Sequence, residues 1–284
     1  MADEFIVTEP GVYDIPEDLY HRDPVPGGSL SQSGAKTLLK EGGPALFAWR
    51  REHPSPSTKA QELGTAAHKL VLGVGQELHE VKEKDWTTNR AKQARDDARA
   101  EGKLPLLTKE LAVVTAMAAK LREHEWAMRL LGQPGKPEMS AFWPDSAYPV
   151  YRRLRWDFMP EPHPARRPVL VDYKTTVSAG PKSFAKSIAD FGYHMQADWY
   201  CAGYQAMFGA VIGDLPVMAF IGQEKEPPYR VAVYQLHPDA LRKGRADNER
   251  AMEIYRDCTE SGIWPGYEPD VQVIDLPYWS YRED

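Results

Sequence analysis

The chain's most chemically suggestive stretch is Val169-Leu170-Val171-Asp172-Tyr173-Lys174-Thr175-Thr176. An apolar, β-branched run with no helical spacing reads as a buried strand. Side chains alternate along a strand, so Asp172 and Lys174 project to the same face while the Tyr173 carbonyl points sideways. A carboxylate so placed can hold a hard divalent cation. An ammonium beside it can activate a water or neutralise charge on a phosphate. The plain alternative is a strand-end ion pair, which is worth little.

Other residues of the right types share that neighbourhood. Fifteen positions earlier (172 − 157) lies Arg152-Arg153-Leu154-Arg155-Trp156-Asp157-Phe158, with Asp157 on the parity of Arg153 and Arg155. A hairpin brings Asp157 against Asp172. In Glu62-Leu63-Gly64-Thr65-Ala66-Ala67-His68, Gly64 and Thr65 suit a helix start, which sets His68 one turn in and on the face of Gly64. A lone helical histidine is usually structural. Glu138 opens an alternating run to Trp143 and is, taken alone, a surface acid at a strand start. Gln196 and Tyr200 are four apart and share a helix face, where burial of aromatics against a sheet is the ordinary role.

The elements that must position these residues follow from pattern. Residues 1–30, rich in Pro and Gly, read as an extended arm with turns. Residues 29–33 open a helix with a serine cap. Residues 89–100 form a solvated charged helix, and residues 108–131 one long core helix ended by Gly132. Residues 138–143 and 148–158 form a β-hairpin, followed by an exposed loop whose His163, Arg166 and Arg167 make a basic edge suited to a polyanion. Helices at 181–189 and 193–208, strands at 216–222 and 229–236, and a helix at 238–260 complete the count. The aromatic-rich tail, 264–284, is expected to wrap the domain or touch a neighbouring subunit.

Composition narrows the class. Hydrophobic content of 42% and charged content of 27% are those of an ordinary globular protein, and 284 residues are compatible with a single domain. No apolar run approaches a membrane span, and Met1-Ala2-Asp3-Glu4 lacks the basic start of a secretory signal, so a cytoplasmic protein with no membrane partner is expected. Cys201 and Cys258 are too few for a disulfide framework or a four-thiolate site, so no iron–sulfur cluster is expected. A formal charge of −6 counts against non-specific nucleic-acid affinity without excluding a basic channel. No phosphate-binding glycine loop or helix-turn-helix is present.

Asp157, a gap, then Asp172-x-Lys174 resembles the core of the PD-(D/E)XK nucleases, although Trp156 stands where the name has proline. The ordered set Gly64-Thr65-x-x-His68, Glu138 in a strand, Arg155-x-Asp157, Asp172-x-Lys174 and Gln196-x-x-x-Tyr200 resembles RecB-type and RecE (exonuclease VIII)-like or lambda-exonuclease-like phage-type enzymes. So does Tyr20-His21 followed by Ser31-x-Ser33 and Pro44-x-x-Phe47, and the likeness spans roughly residues 13–205. It implies an α/β, restriction-endonuclease-like core with a central mixed β-sheet flanked by helices. It also implies a metal-dependent exonuclease acting on double-stranded DNA ends, 5′→3′, built as a ring-forming homo-oligomer and partnered by a single-strand annealing protein.

By resemblance, Asp157, Asp172, His68 and the Tyr173 carbonyl hold one or two Mg²⁺ or Mn²⁺ ions. Lys174 is the catalytic lysine, and Glu138 completes the site through water. Arg153, Arg155, Gln196 and Tyr200 contact DNA. A Cas4-like nuclease acting on single strands, a non-catalytic DNA-end-binding factor and a nicking or restriction endonuclease are the alternatives left open.

Overall fold

The structure, a computed structural model, describes residues 5–53 and 58–281. Residues 1–4, on which the reading of the N-terminal start rests, and 282–284 of the tail lie outside the described residues. The arm is wired into the sheet instead of trailing from it. Gly11–Tyr13 (β1) pairs with the first strand of the predicted hairpin, Glu17–His21 (α1) is one short helix, and Leu30–Ser31 (β2) runs parallel to the hairpin's second strand. The arm stays down because Val7, Ile15, Tyr20 and Val25 bury themselves around Phe142.

Ser31 caps Gln32–Leu38 (α2), its Oγ accepting the Gly34 N–H at 3.2 Å, and Gly43–Glu52 (α3) follows. Lys59–Leu72 (α4) carries His68 but does not begin at Gly64. A Thr58/Gln61 capping box starts it earlier and leaves Gly64 in mid-helix, one turn before His68. Leu78–Val81 (β3) and Leu104–Leu107 (β4) pair in parallel around Asn89–Ala100 (α5), a small sheet too short to register as a pattern in the sequence. The helix expected over 108–131 is two, Thr108–Arg122 (α6) and Glu125–Leu131 (α7). His124 divides them by accepting the Ala127 N–H on its ring nitrogen at 3.2 Å.

Gly135–Pro144 (β5) and Tyr151–Pro160 (β6) are the expected hairpin. Val169–Thr176 (β7), Pro181–Phe191 (α8), Tyr193–Phe208 (α9), Val217–Glu224 (β8), Val231–Gln235 (β9) and Pro238–Ser261 (α10) follow, and Tyr278–Tyr281 is a turn of 3-10 helix.

The main sheet runs β1-β5-β6-β7-β8-β9, with β2 beside β6. It is mixed: β7 and β8 are parallel, joined across one face by α8 and α9, while the other neighbours along that path are antiparallel. One face packs Leu154, Trp156, Leu170 and Phe220 against Trp199, Tyr204 and Tyr255 of α9 and α10. The other packs Val171, Tyr173 and Ile221 against Ala66 and Ala67 of α4 and Val114 and Met117 of α6. Each large side chain so buried contributes about 1.5–3 kcal/mol, and together they fix the strands between two helical layers. Among the described residues no helix is long and apolar enough to cross a membrane.

Candidate active site

The sheet is split where its acids lie. β6 and β7 are in register at Phe158↔Val171, which sets Asp157 opposite Asp172. There the ladder gives way to a side chain: Asp157 Oδ2, not a backbone carbonyl, accepts the Tyr173 N–H at 2.8 Å. On the other flank the β5–β6 register runs through Pro137↔Phe158 and Met139↔Trp156, which sets Glu138 opposite Asp157. Glu138 is also one of the few non-glycine residues at positive φ (56°). Three carboxylates therefore stand in a row across three adjacent strands.

The helices bring the remaining groups. α4 lays His68 over the split, its Nδ1 3.5 Å from Asp157 Oδ2 and its ring edge-on to Tyr173. One ligand atom each from His68, Glu138 and Asp157 lies within 4.8 Å of the others, close enough for one metal ion. Asp172 is engaged differently. Its Oδ1 accepts from Gln196 Nε2 of α9 at 2.6 Å, and its Oδ2 lies 2.7 Å from Lys174 Nζ. That second contact is an ion pair whose angle falls outside hydrogen-bond geometry. Glu138 thus stands in one group with Asp157 and His68, beside the Asp172–Lys174 pair; in the sequence reading Glu138 completes the site through water. Lys174 and Asp172 do share a face, with Nζ 5.2 Å from the Tyr193 ring.

Burial pushes the Asp172 carboxyl up to about 6, the Asp157 charge adds to this, and Lys174 opposes it. Asp157 is also raised by burial, against the pull of Lys174 and the Tyr173 N–H. Glu138 is raised by burial and by the charge of Asp157. Burial alone would lower the lysine, but Asp172 and Asp157 outweigh it and hold Lys174 protonated. His68 is lowered by burial and by Lys174, so its ring is neutral and keeps a lone pair to donate. With every other group ionised, three acids face Lys174 and Arg155, a net charge of −3 + 2 = −1. Crowded carboxylates with raised affinity for protons and a neutral imidazole are what a divalent cation would relieve, so the residues present fit such an ion.

The other predicted residues are placed less directly. Arg155 donates from Nε to Glu138 Oε2 at 2.7 Å, and from Nη1 to Ile15 O and Ser140 Oγ, each at 2.9 Å. Arg153 donates from Nη1 to Ser29 O at 2.8 Å and Ser29 Oγ at 2.9 Å, and pairs with Asp23. Both guanidinium groups are thus engaged by the protein itself. Gln196 is buried against Asp172, and Tyr200, one turn further along α9, has its hydroxyl pushed well up by burial. Sequence reasoning missed that Arg155 orients Glu138 and that Gln196 orients Asp172. The signal for the first was parity, since Arg155 is two residues from Asp157 on the strand facing Glu138.

A mixed sheet with helices on both faces, parted over Asp157, Asp172 and Lys174, defines the restriction-endonuclease-like class. The chain belongs to the family described as "PDDEXK-like domain of unknown function (DUF3799)", which matches residues 31–277. A solved structure described as "Putative exonuclease" from Eubacterium rectale is similar over 93% of this chain and 96% of its own, at 13% identity and a TM-score of 0.61, a likeness of fold. SSO0001, similar over 74% of this chain and 89% of its own at 13% identity, has a TM-score of 0.29 and carries no argument. No curated protein matches the chain.

Proposed function

We propose that this chain is a metal-dependent exonuclease that hydrolyses DNA from double-stranded ends, 5′→3′, in the manner of the RecE-like and lambda-exonuclease-like enzymes. The observation that carries the reading is the grouping of His68, Glu138 and Asp157 beside the Asp172–Lys174 pair at one break in the sheet. Two carboxylates and a neutral imidazole suit Mg²⁺ or Mn²⁺. A cation held there supplies positive charge to a phosphate and lowers the pKa of a nearby water.

The chain's own residues do the rest. Lys174, kept charged by Asp172, presents N–H donors to the attacking water or to a phosphate oxygen. Gln196 holds Asp172 toward Lys174, and Arg155 holds Glu138 toward Asp157. Tyr200 borders the path of the strand, and Arg153 fixes the arm that closes one side. Contacts of this kind address the backbone of DNA and not its bases, so cleavage is nearly independent of sequence. A closed ring of subunits keeps a chain of charge −6 on its substrate by topology, and the 3′ single strand it leaves is the substrate of an annealing protein.

Linear duplex labelled separately at its 5′ and 3′ ends tests the reading, with Lys174→Ala alongside and covalently closed circular DNA as the control. Early release of 5′ label from linear DNA alone, lost in the variant, is the expected result. Absence of Lys174-dependent hydrolysis with both Mg²⁺ and Mn²⁺ overturns the enzyme reading, and cutting of the circle makes the protein an endonuclease.

A further inference from the structure

Among the described residues the sheet ends in an open strand, and the segment after α10 holds a strand-like run that pairs with no strand. β9 has β8 on one side only. Glu224 N–H donates to Arg230 O at 3.0 Å. Counting on from that pair, Ala232 and Tyr234 bond to β8, while Val231, Val233 and Gln235 turn their N–H and C=O groups to the outer edge. All five residues of β9 line a cavity of about 610 Å³, whose far wall includes Trp126 and Leu130 of α7. Trp126 is 59% exposed there. A groove with an edge strand for one wall and apolar side chains for the other accepts an extended peptide as a further strand.

Val271-Gln272-Val273-Ile274 has the β-branched composition of a strand. It belongs to no sheet, and Val271, Val273 and Ile274 are 98%, 100% and 87% exposed. Its own β9 is out of reach. β9 leads into α10, whose 24 residues carry the chain about 36 Å away. Past that helix Trp264 stacks on Phe47 at 5.3 Å, Pro265 O accepts the Ala45 N–H at 3.1 Å, and Tyr267 lies against Gly42. The tail is therefore pinned to α3 before the apolar run begins. From Tyr267 the chain reaches Val271 in four steps, about 14 Å at most, which leaves only a second copy to offer a β9 edge.

We propose that residues 271–275 of one chain add as a strand to the β9 edge of a neighbouring copy, seating valines in the groove beside Trp126. The contact is head-to-tail, so every subunit both gives a tail and receives one. This inference bears on the ring in the proposed function but not on its chemistry, which the Lys174-dependent hydrolysis assay tests separately, and its own test needs no DNA.

Light scattering on the full chain at micromolar concentration is expected to give a multiple of the chain mass. Val271→Asp with Val273→Asp changes only side chains already in solvent, so it keeps the fold and gives a monomer. Val233→Pro removes an outward N–H from the receiving edge and also gives a monomer. Mixing the two variants restores one intact interface and yields a one-to-one dimer and nothing larger. A monomeric wild type, or a tail variant that keeps the wild-type mass, overturns the proposal; the first outcome leaves the edge for a foreign strand.

Discussion

Two charged clusters grow from β6, five residues apart (157 − 152), and they are finished differently. At Arg152 the guanidinium donates to Asp145 Oδ2 at 2.9 Å and lies over the Trp199 ring at 3.8 Å and the Trp143 ring at 5.0 Å. One positive charge meets one negative charge inside an aromatic box, and both are nearly out of solvent. At Asp157 the count does not close: Glu138, Asp157 and Asp172 outnumber Lys174 and Arg155. A buried charge with a matched protein partner is scaffold, while a surplus of buried charge marks a place that expects something from outside.

Substitutions at the two ends are therefore expected to fail in different ways. The largest effect is expected at the open cluster. Lys174→Ala and Asp157→Asn should each cut hydrolysis on the order of 10³-fold, with melting temperatures close to wild type. Single-turnover rates read against thermal melts check this, and a large loss of stability with little loss of rate would reverse the assignment. At the closed cluster, Asp145→Ala strands Arg152 and should cost about 3 kcal/mol in chemical denaturation while leaving the rate per folded molecule unchanged.

The third effect is on pH dependence. Asp172 is raised to about 6 in the folded protein from an ordinary 3.8, so the native state holds the proton more tightly than the unfolded chain. In metal-free protein its contribution to stability is therefore greatest below pH 4 and declines as pH rises through 6. Denaturation in chelator, wild type minus Asp172→Asn, should show a loss on the order of 1–3 kcal/mol across that window. A flat difference would mean that Lys174 already compensates the acid. The smallest effect is expected at Arg155→Lys, which keeps the charge but loses the fork that joins Glu138 to Ile15 and Ser140. Mn²⁺ affinity by calorimetry should fall about 10-fold, and an unchanged value would release Glu138 from the proposed ligand set.

Much of this was legible in the sequence, for identifiable reasons. The strand carrying Asp172 and Lys174, the hairpin and α9 have long, clean periodicities that mark them as elements, and the fold class followed from the resemblance carried by the motifs on them. The contents of the site were legible as residue types at plausible spacings. Their partnerships were not, because they depend on register and on which helix crosses which strand. Nothing local says that Gln196 reaches Asp172, or that Glu138 stands across from Asp157. The split of residues 108–131 was hidden because a histidine took a capping role usually filled by Ser, Thr, Asp or Asn. The arm reads from its Pro and Gly content as extended with turns, and its packing was not legible there: Ile15, Asp23 and Ser29 hold Arg153 and Arg155 of β6. Those three residues precede the region matched by the family.

Glu138 sits at φ 56°, a conformation that glycine and asparagine take at little cost and a glutamate does not. Its presence there costs the fold about 1–3 kcal/mol, beyond the burden of its buried charge. Any search that ranks variants by thermal tolerance alone should therefore drift toward Glu138→Asn, easing backbone and electrostatics together. Survivors of such a search would be hardier molecules with one metal-capable carboxylate fewer. At this position robustness and chemistry are selected in opposite directions.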